Sequence, residues 1–164
     1  MNRAAGAPVG WPYDKREYCW GKHTCLMGVM KALRALAEIP ETARSAEVRK
    51  TIGAAAEFML RHHLFKRSHD LEMAARPKWQ KLGFPTLWDS DALEALLVLA
   101  ELGYKDPRMM AAVELVLEKQ DDRGRWKLEN TYNGHLRTNI EQKGKPSKWV
   151  TLRALRALRT FFGP

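Results

Sequence analysis

The sequence predicts an all-α protein in which two helix types, A and B, alternate along the chain. Three observations carry that expectation. Ala32-Leu33 with Leu36, Ala95-Leu96 with Leu99 and Ala154-Leu155 with Leu158 superpose at offsets of 63 and 59 residues, and Met30, Leu93 and Leu152 precede them in register. A different pattern, Glu57-Phe58-Met59-Leu60 and Glu114-Leu115-Val116-Leu117, recurs at an offset of 57 and falls between the first three. No segment alternates apolar and polar residues long enough to suggest a sheet. Repetition at this period marks stacked helical units, so the expected order is A, B, A, B, A.

The first A helix is expected over 24–38, with Thr24 as its N-cap and Pro40 ending it after Ile39. The first B helix is expected over 46–62. The second A helix is expected over 89–102, capped by Asp89 or Ser90 and stopped at Gly103, where a left-handed residue fits. Asp106-Pro107 opens the second B helix, 107–119, because proline suits a first helical turn. The last A helix follows Pro146-Ser147 over 148–162. The A helices are apolar on more than one face, most clearly at Ala92–Ala100, whereas Glu47, Arg49, Lys50, Glu57 and Arg61 give the first B helix a polar side. An inner layer of A helices inside an outer layer of B helices satisfies both patterns. Residues 1–17 read as an N-terminal extension and 18–164 as the repeat domain.

With 45% hydrophobic residues the chain has the composition of a folded protein, not a disordered one. Its longest apolar runs fall well short of the roughly 20 residues of a membrane span, and Met1–Gly10 carries no apolar signal block. The expectation is a cytoplasmic protein with reduced Cys19 and Cys25. Net charge is +9, of which +8 lies in 123–164, where ten Lys or Arg face only Glu129 and Glu141. Such a segment suits phosphate groups or an acidic partner, although no nucleic-acid motif accompanies it.

After the second B helix, Gln120-Asp121-Asp122-Arg123-Gly124-Arg125-Trp126 fits the pattern Q-x-x-x-G-x-W. Gly124 permits a left-handed turn and the Gln120 amide can bond free helix-end groups beside the Trp126 ring. With the A and B alternation, this segment resembles the α/α-toroid of terpene cyclases and protein prenyltransferases, the squalene cyclase-like family, whose QW motif ties an outer helix to the next inner one. The first B helix has His63 in place of the glutamine and no Gly-x-Trp after it, so one copy is intact.

The resemblance implies an isoprenoid or other lipid-like ligand and points to three groups of residues. Lys22-His23-Thr24-Cys25 resembles the His-Thr-Cys-Tyr segment that carries a zinc-ligand histidine in prenyltransferases, with Leu26 in place of the tyrosine. Cys19, His23 and Cys25 form a soft-ligand set that could hold zinc, but the spacing suits a capped, partly buried helix start better, and no cofactor is expected. Trp88-Asp89-Ser90-Asp91 resembles the acid motif of class II cyclases, in which a protonated carboxyl starts cyclisation, with Ala92 where the last Asp belongs. Asp89 and Asp91 then act either as that acid pair or as helix-cap charges.

Trp88 and Trp149, with Trp79 and Trp126, suit a pocket that stabilises carbocations or serve as core anchors. Arg153, Arg156 and Arg159 form a stripe that binds diphosphate or is simply solvated. His23, Asp89, Asp91 and Trp149 each start an A helix and are expected around one cavity.

Whether the chain is an enzyme stays open at this point. The alternatives are a non-catalytic helical-repeat scaffold and a polyanion binder acting through the basic segment. Three A and two B helices do not close a ring, so self-association through the end helices, or further helices before Tyr13, is expected. Met27, Met30, Leu155 and Phe162 would then face water in a monomer.

Overall fold

The computed structural model describes residues 24–163. The helices α1 (Leu26–Ala37), α2 (Ala46–Arg61), α3 (Ala92–Glu101), α4 (Met110–Glu118) and α5 (Lys148–Phe162) occupy the five expected positions. The fold is helix-rich but not purely helical. Two short antiparallel pairs lie in the long connections, β1 (Lys66–Arg67) with β2 (Asp70–Ala74) and β3 (Trp126–Lys127) with β4 (Pro146–Ser147). Three of the four strands have two residues, too few to display a period of two, and the three central residues of β2 are all exposed, so no alternation announces either pair.

The chain divides into two compact units, one ending at Arg61 and the other starting at His62. In the first unit α1 packs on α2. The guanidinium of Arg44 donates to the Ile39 and Ala37 carbonyls, satisfying groups that the end of α1 leaves without helical partners. Ser45 caps α2, its hydroxyl accepting from Val48 N. Cys25, not Thr24, occupies the N-cap position of α1, without a side-chain cap bond.

In the second unit α3 is the central element. Ala92 through Ala100 are all buried, as expected for a helix apolar on every side, and α3 packs against both α4 and α5. Its cap is Asp91, whose carboxylate accepts from Glu94 N at 2.7 Å, so α3 starts later than a cap at Asp89 or Ser90 would place it. A short 3₁₀ turn at Pro107–Met109 precedes α4. Asp106 accepts from Arg108 N at 2.8 Å and from the Arg108 side chain at 3.0 and 2.8 Å, and these bonds hold its carboxyl down at about 2. A carboxyl-detected NMR titration should therefore give Asp106 a midpoint near 2, well below the ordinary 3.8. Because the folded value is the lower one, its stabilising contribution is complete above the ordinary value and is lost as pH falls towards 2. An ordinary midpoint would break that assignment.

The repeated positions do not have equivalent environments. Met30 and Leu33 in α1, and Leu93 and Leu96 in α3, are fully buried, whereas their counterparts Leu152 and Leu155 in α5 are about half exposed. This corrects the expectation that Met30 faces water. Met27 is of intermediate exposure, and Leu155 and Phe162 are exposed as expected. Among the described residues, no helix is long and apolar enough to cross a membrane.

Candidate functional site

The segment 83–91 enters α3 and gathers most of the polar residues singled out above. Asp91 is buried, and its two carboxylate oxygens accept from different backbone groups, Oδ1 from Glu94 N at 2.7 Å and Oδ2 from Gly83 N at 2.8 Å. Arg153, reaching from α5, places a guanidinium nitrogen 3.6 Å from Asp91 Oδ1 and donates to the Gly83 carbonyl at 2.7 Å. Burial pushes the Asp91 carboxyl above its ordinary value, while Arg153 and the two N–H donors pull it back. Glu94, also buried, accepts from the Thr86 hydroxyl at 3.1 Å.

Gly83 has a steric role here. A Cβ on it would lie 2.9 Å from the Asn130 carbonyl oxygen and 3.1 Å from Asn130 Cβ, so a side chain would displace the strand-like crossing of these two loops.

Asp89 belongs to a second, more open group. The Tyr132 hydroxyl donates to Asp89 Oδ2 at 2.9 Å and accepts from Trp88 N at 3.1 Å and Asp89 N at 2.8 Å. Lys78 Nζ lies 2.5 Å from the same carboxylate oxygen. Partial burial raises the Asp89 carboxyl, but the hydrogen bonds from Lys78 and Tyr132 outweigh it and leave the group below its ordinary value. Tyr132 moves upward, through burial and through the hydrogen bond its hydroxyl donates to the Asp89 carboxylate. Both carboxylates therefore have structural partners.

Trp149, at the start of α5, stacks on Phe84 with ring centroids 5.1 Å apart and an interplanar angle of 13°, and Lys148 Nζ lies over the Trp149 ring, 5.7 Å from its centroid. Trp88 is exposed, as is Leu87 beside it. The structure thus brings Asp91 to Arg153, Asp89 to Tyr132 and Lys78, and Trp149 to the same segment through Phe84. Arg156 pairs with Glu101, and Arg159 is exposed, so the three arginines do not act as one stripe. His23 and Cys19 lie outside the described residues. Cys25 is buried at the α1 cap, its carbonyl accepting from Val29 N.

The Gln120–Trp126 segment closes locally. Gly124 sits at φ 72°, Gln120 and Trp126 form an antiparallel bridge, and Gln120 Nε2 lies 3.5 Å from where a Gly124 Cβ would be. Trp126 is fully buried; its indole N–H donates to Val116 O in α4 at 2.6 Å, and its backbone N–H donates to the Thr151 hydroxyl in α5 at 3.1 Å. It therefore ties α4 to α5. A cleft of about 280 Å³ beside it is lined by Glu118, Lys119, Gln120, Asp121, Lys127 and Glu129, and by none of the residues around Asp91.

Sequence reasoning missed Tyr132, Lys78, Gly83 and Glu94. Only Glu94 carried a local signal, since Asp91-Ala-Leu-Glu94 has capping-box spacing. Comparison with known proteins adds no relative: no family model, no curated protein and no solved structure matches this chain.

Proposed function

We propose that the chain is a non-catalytic binding module, a helical scaffold in which Asp89 and Asp91 hold the architecture together. The observation that carries this reading is the state of Asp91. An acid that protonates a substrate needs a free oxygen facing a cavity. Both oxygens of Asp91 accept from backbone N–H groups, and Arg153 opposes the protonated form. The experiment is thermal and urea unfolding of Asp91→Asn and Asp91→Ala. A structural carboxylate makes both variants less stable, whereas a group kept strained for catalysis leaves stability unchanged or raised when it is neutralised.

A second reading, an isoprenoid or lipid-like ligand held without chemistry, is favoured by one specific observation. Phe84 and Trp149 stack, the exposed Leu87 and Trp88 follow Phe84 in the chain, Lys148 lies over the Trp149 ring, and Lys78 pairs with Asp89 next to Trp88. An aromatic surface edged by ammonium groups suits an apolar tail with an anionic head. A fluorescent prenyl diphosphate should bind saturably and lose about tenfold in affinity in Trp149→Ala. Binding that is unaffected by that substitution, or absent, ends this reading.

A further inference from the structure

The solvent face of α5 is unusual in what it combines. Trp149, Leu152, Leu155 and Phe162 are 38%, 47%, 52% and 62% exposed. Helical spacing places Lys148, Arg156 and Arg159 among them on the same arc. The helix contains no Asp or Glu. Arg156 is paired with Glu101 of α3 and the Lys148 backbone N–H donates to Glu141 at 2.9 Å, but among the described residues neither the Lys148 ammonium nor the Arg159 guanidinium is in an ion pair.

The repeat indicates what kind of object belongs there. Leu152 and Leu155 stand at the positions of Met30 and Leu33 in α1 and of Leu93 and Leu96 in α3, all of which are fully buried in helix packing. The same pattern in α5 is turned to water. Burying the exposed half of each leucine would remove apolar surface from water, the main favourable contribution to association. With Trp149 before them and Phe162 after them, they make a seam from one end of the 15-residue helix to the other, the footprint of a helix and not of a small molecule.

Charge selects among helices. A second copy of α5 would bring its own Lys148, Arg156 and Arg159 against the same three residues, with no carboxylate from either helix. The segment 1–23 is also basic overall, with Arg3, Lys15, Arg16 and Lys22 against Asp14 and Glu17. Neither complements the face.

We infer that the exposed face of α5 is a docking site for an acidic amphipathic helix of a partner protein, its leucine-like residues covering Leu152 and Leu155 and its carboxylates meeting Lys148 and Arg159. This rests on the reading of the chain as a binding module and names the class of partner. Opposite charge speeds encounter and fixes register, while the apolar seam supplies the burial.

The test uses the full chain and two synthetic helical peptides, one of leucine and glutamate and one of leucine and lysine with the same pattern. Calorimetry should show saturable binding of the glutamate peptide only, weakening as salt rises. The double variant Leu152→Ser/Leu155→Ser and, separately, Arg159→Glu should each reduce its affinity by about tenfold or more. These side chains are solvent-exposed, so circular dichroism should be unchanged, and the two variants perturb different chemistry. Equal binding of both peptides, or indifference to both variants, overturns the proposal. Vesicles of phosphatidylglycerol and phosphatidylcholine that bind through the same residues while the glutamate peptide does not would identify a lipid surface instead. A dimer in sedimentation that the double variant dissolves would identify a second copy instead. The Asp91 unfolding experiment is independent of all these outcomes, so the two readings fall separately.

Discussion

Trp126→Ala should lower the unfolding free energy by about 3–5 kcal/mol, the range found when a buried indole is emptied from a core. The ring is fully buried, and its loss removes three things together. The first is apolar contact in the space between α4 and α5. The second is the indole donor to Val116 O at 2.6 Å, in the last turn of α4, where that carbonyl otherwise accepts a longer bond from Lys119 N at 3.3 Å. The third is the stiffness of the β3–β4 pairing, in which Trp126 faces Ser147, the residue that caps α5 by accepting from Val150 N. Trp126→Phe keeps most of the first and none of the second, so it should fall between the wild type and alanine. Urea unfolding resolves the series. A wild-type midpoint in Trp126→Ala would show that the segment is an incidental loop and not a clamp.

Asp91→Ala should cost a similar amount, about 3–5 kcal/mol, for a different reason. The ion pair with Arg153 is not itself a large net gain, since desolvation of the carboxylate is what pushes its proton affinity up. The loss lies in what remains behind. Arg153 would keep a buried positive charge, and Gly83 N and Glu94 N would lose their acceptor. Asp91→Asn should be milder, because an amide oxygen can still cap α3, but it leaves the charge of Arg153 unbalanced. A melting temperature at or above the wild-type value in Asp91→Asn would point to a carboxylate maintained for chemistry and would remove the scaffold reading.

The five helices were legible because each combines an apolar pattern with a local stop or start, such as Gly103, Pro107 and Ser147. Gly124 at positive φ was legible for the same reason: its role depends on neighbours within a few residues. The expected α3 cap was Asp89 or Ser90, whereas the cap is Asp91, which Glu94 three residues later marked.

The site's remaining partners had no such mark. Tyr132 lies 43 residues from Asp89, and Arg153 lies 70 residues from the Gly83 carbonyl it bonds. Nothing in a local window distinguishes Arg153, with its buried ion pair, from Arg159, exposed on the same helix. The exposed leucines of α5 follow the same logic. The repeat announces an apolar helix in all three copies, but only packing decides which copy is covered.

The seam between the connections has a kinetic meaning. Glu129 accepts from Leu82 N, and Phe84 N donates to the Asn130 carbonyl, so the chain returns on itself across 47 residues that contain all of α3 and α4. Closing a ring of that length costs about 3 kcal/mol in chain entropy by the logarithmic law, and nothing offsets it until the enclosed helices have packed. The seam is therefore a late event in folding, formed once α3 and α4 are already in place. Once made, it removes the independence of two long loops. A fluctuation that frees Asn130 from Gly83 and Phe84 would also release the loop that brings Tyr132 to Asp89 and the neighbouring donor to Asp91, so native-state hydrogen exchange should give these amides one shared opening free energy.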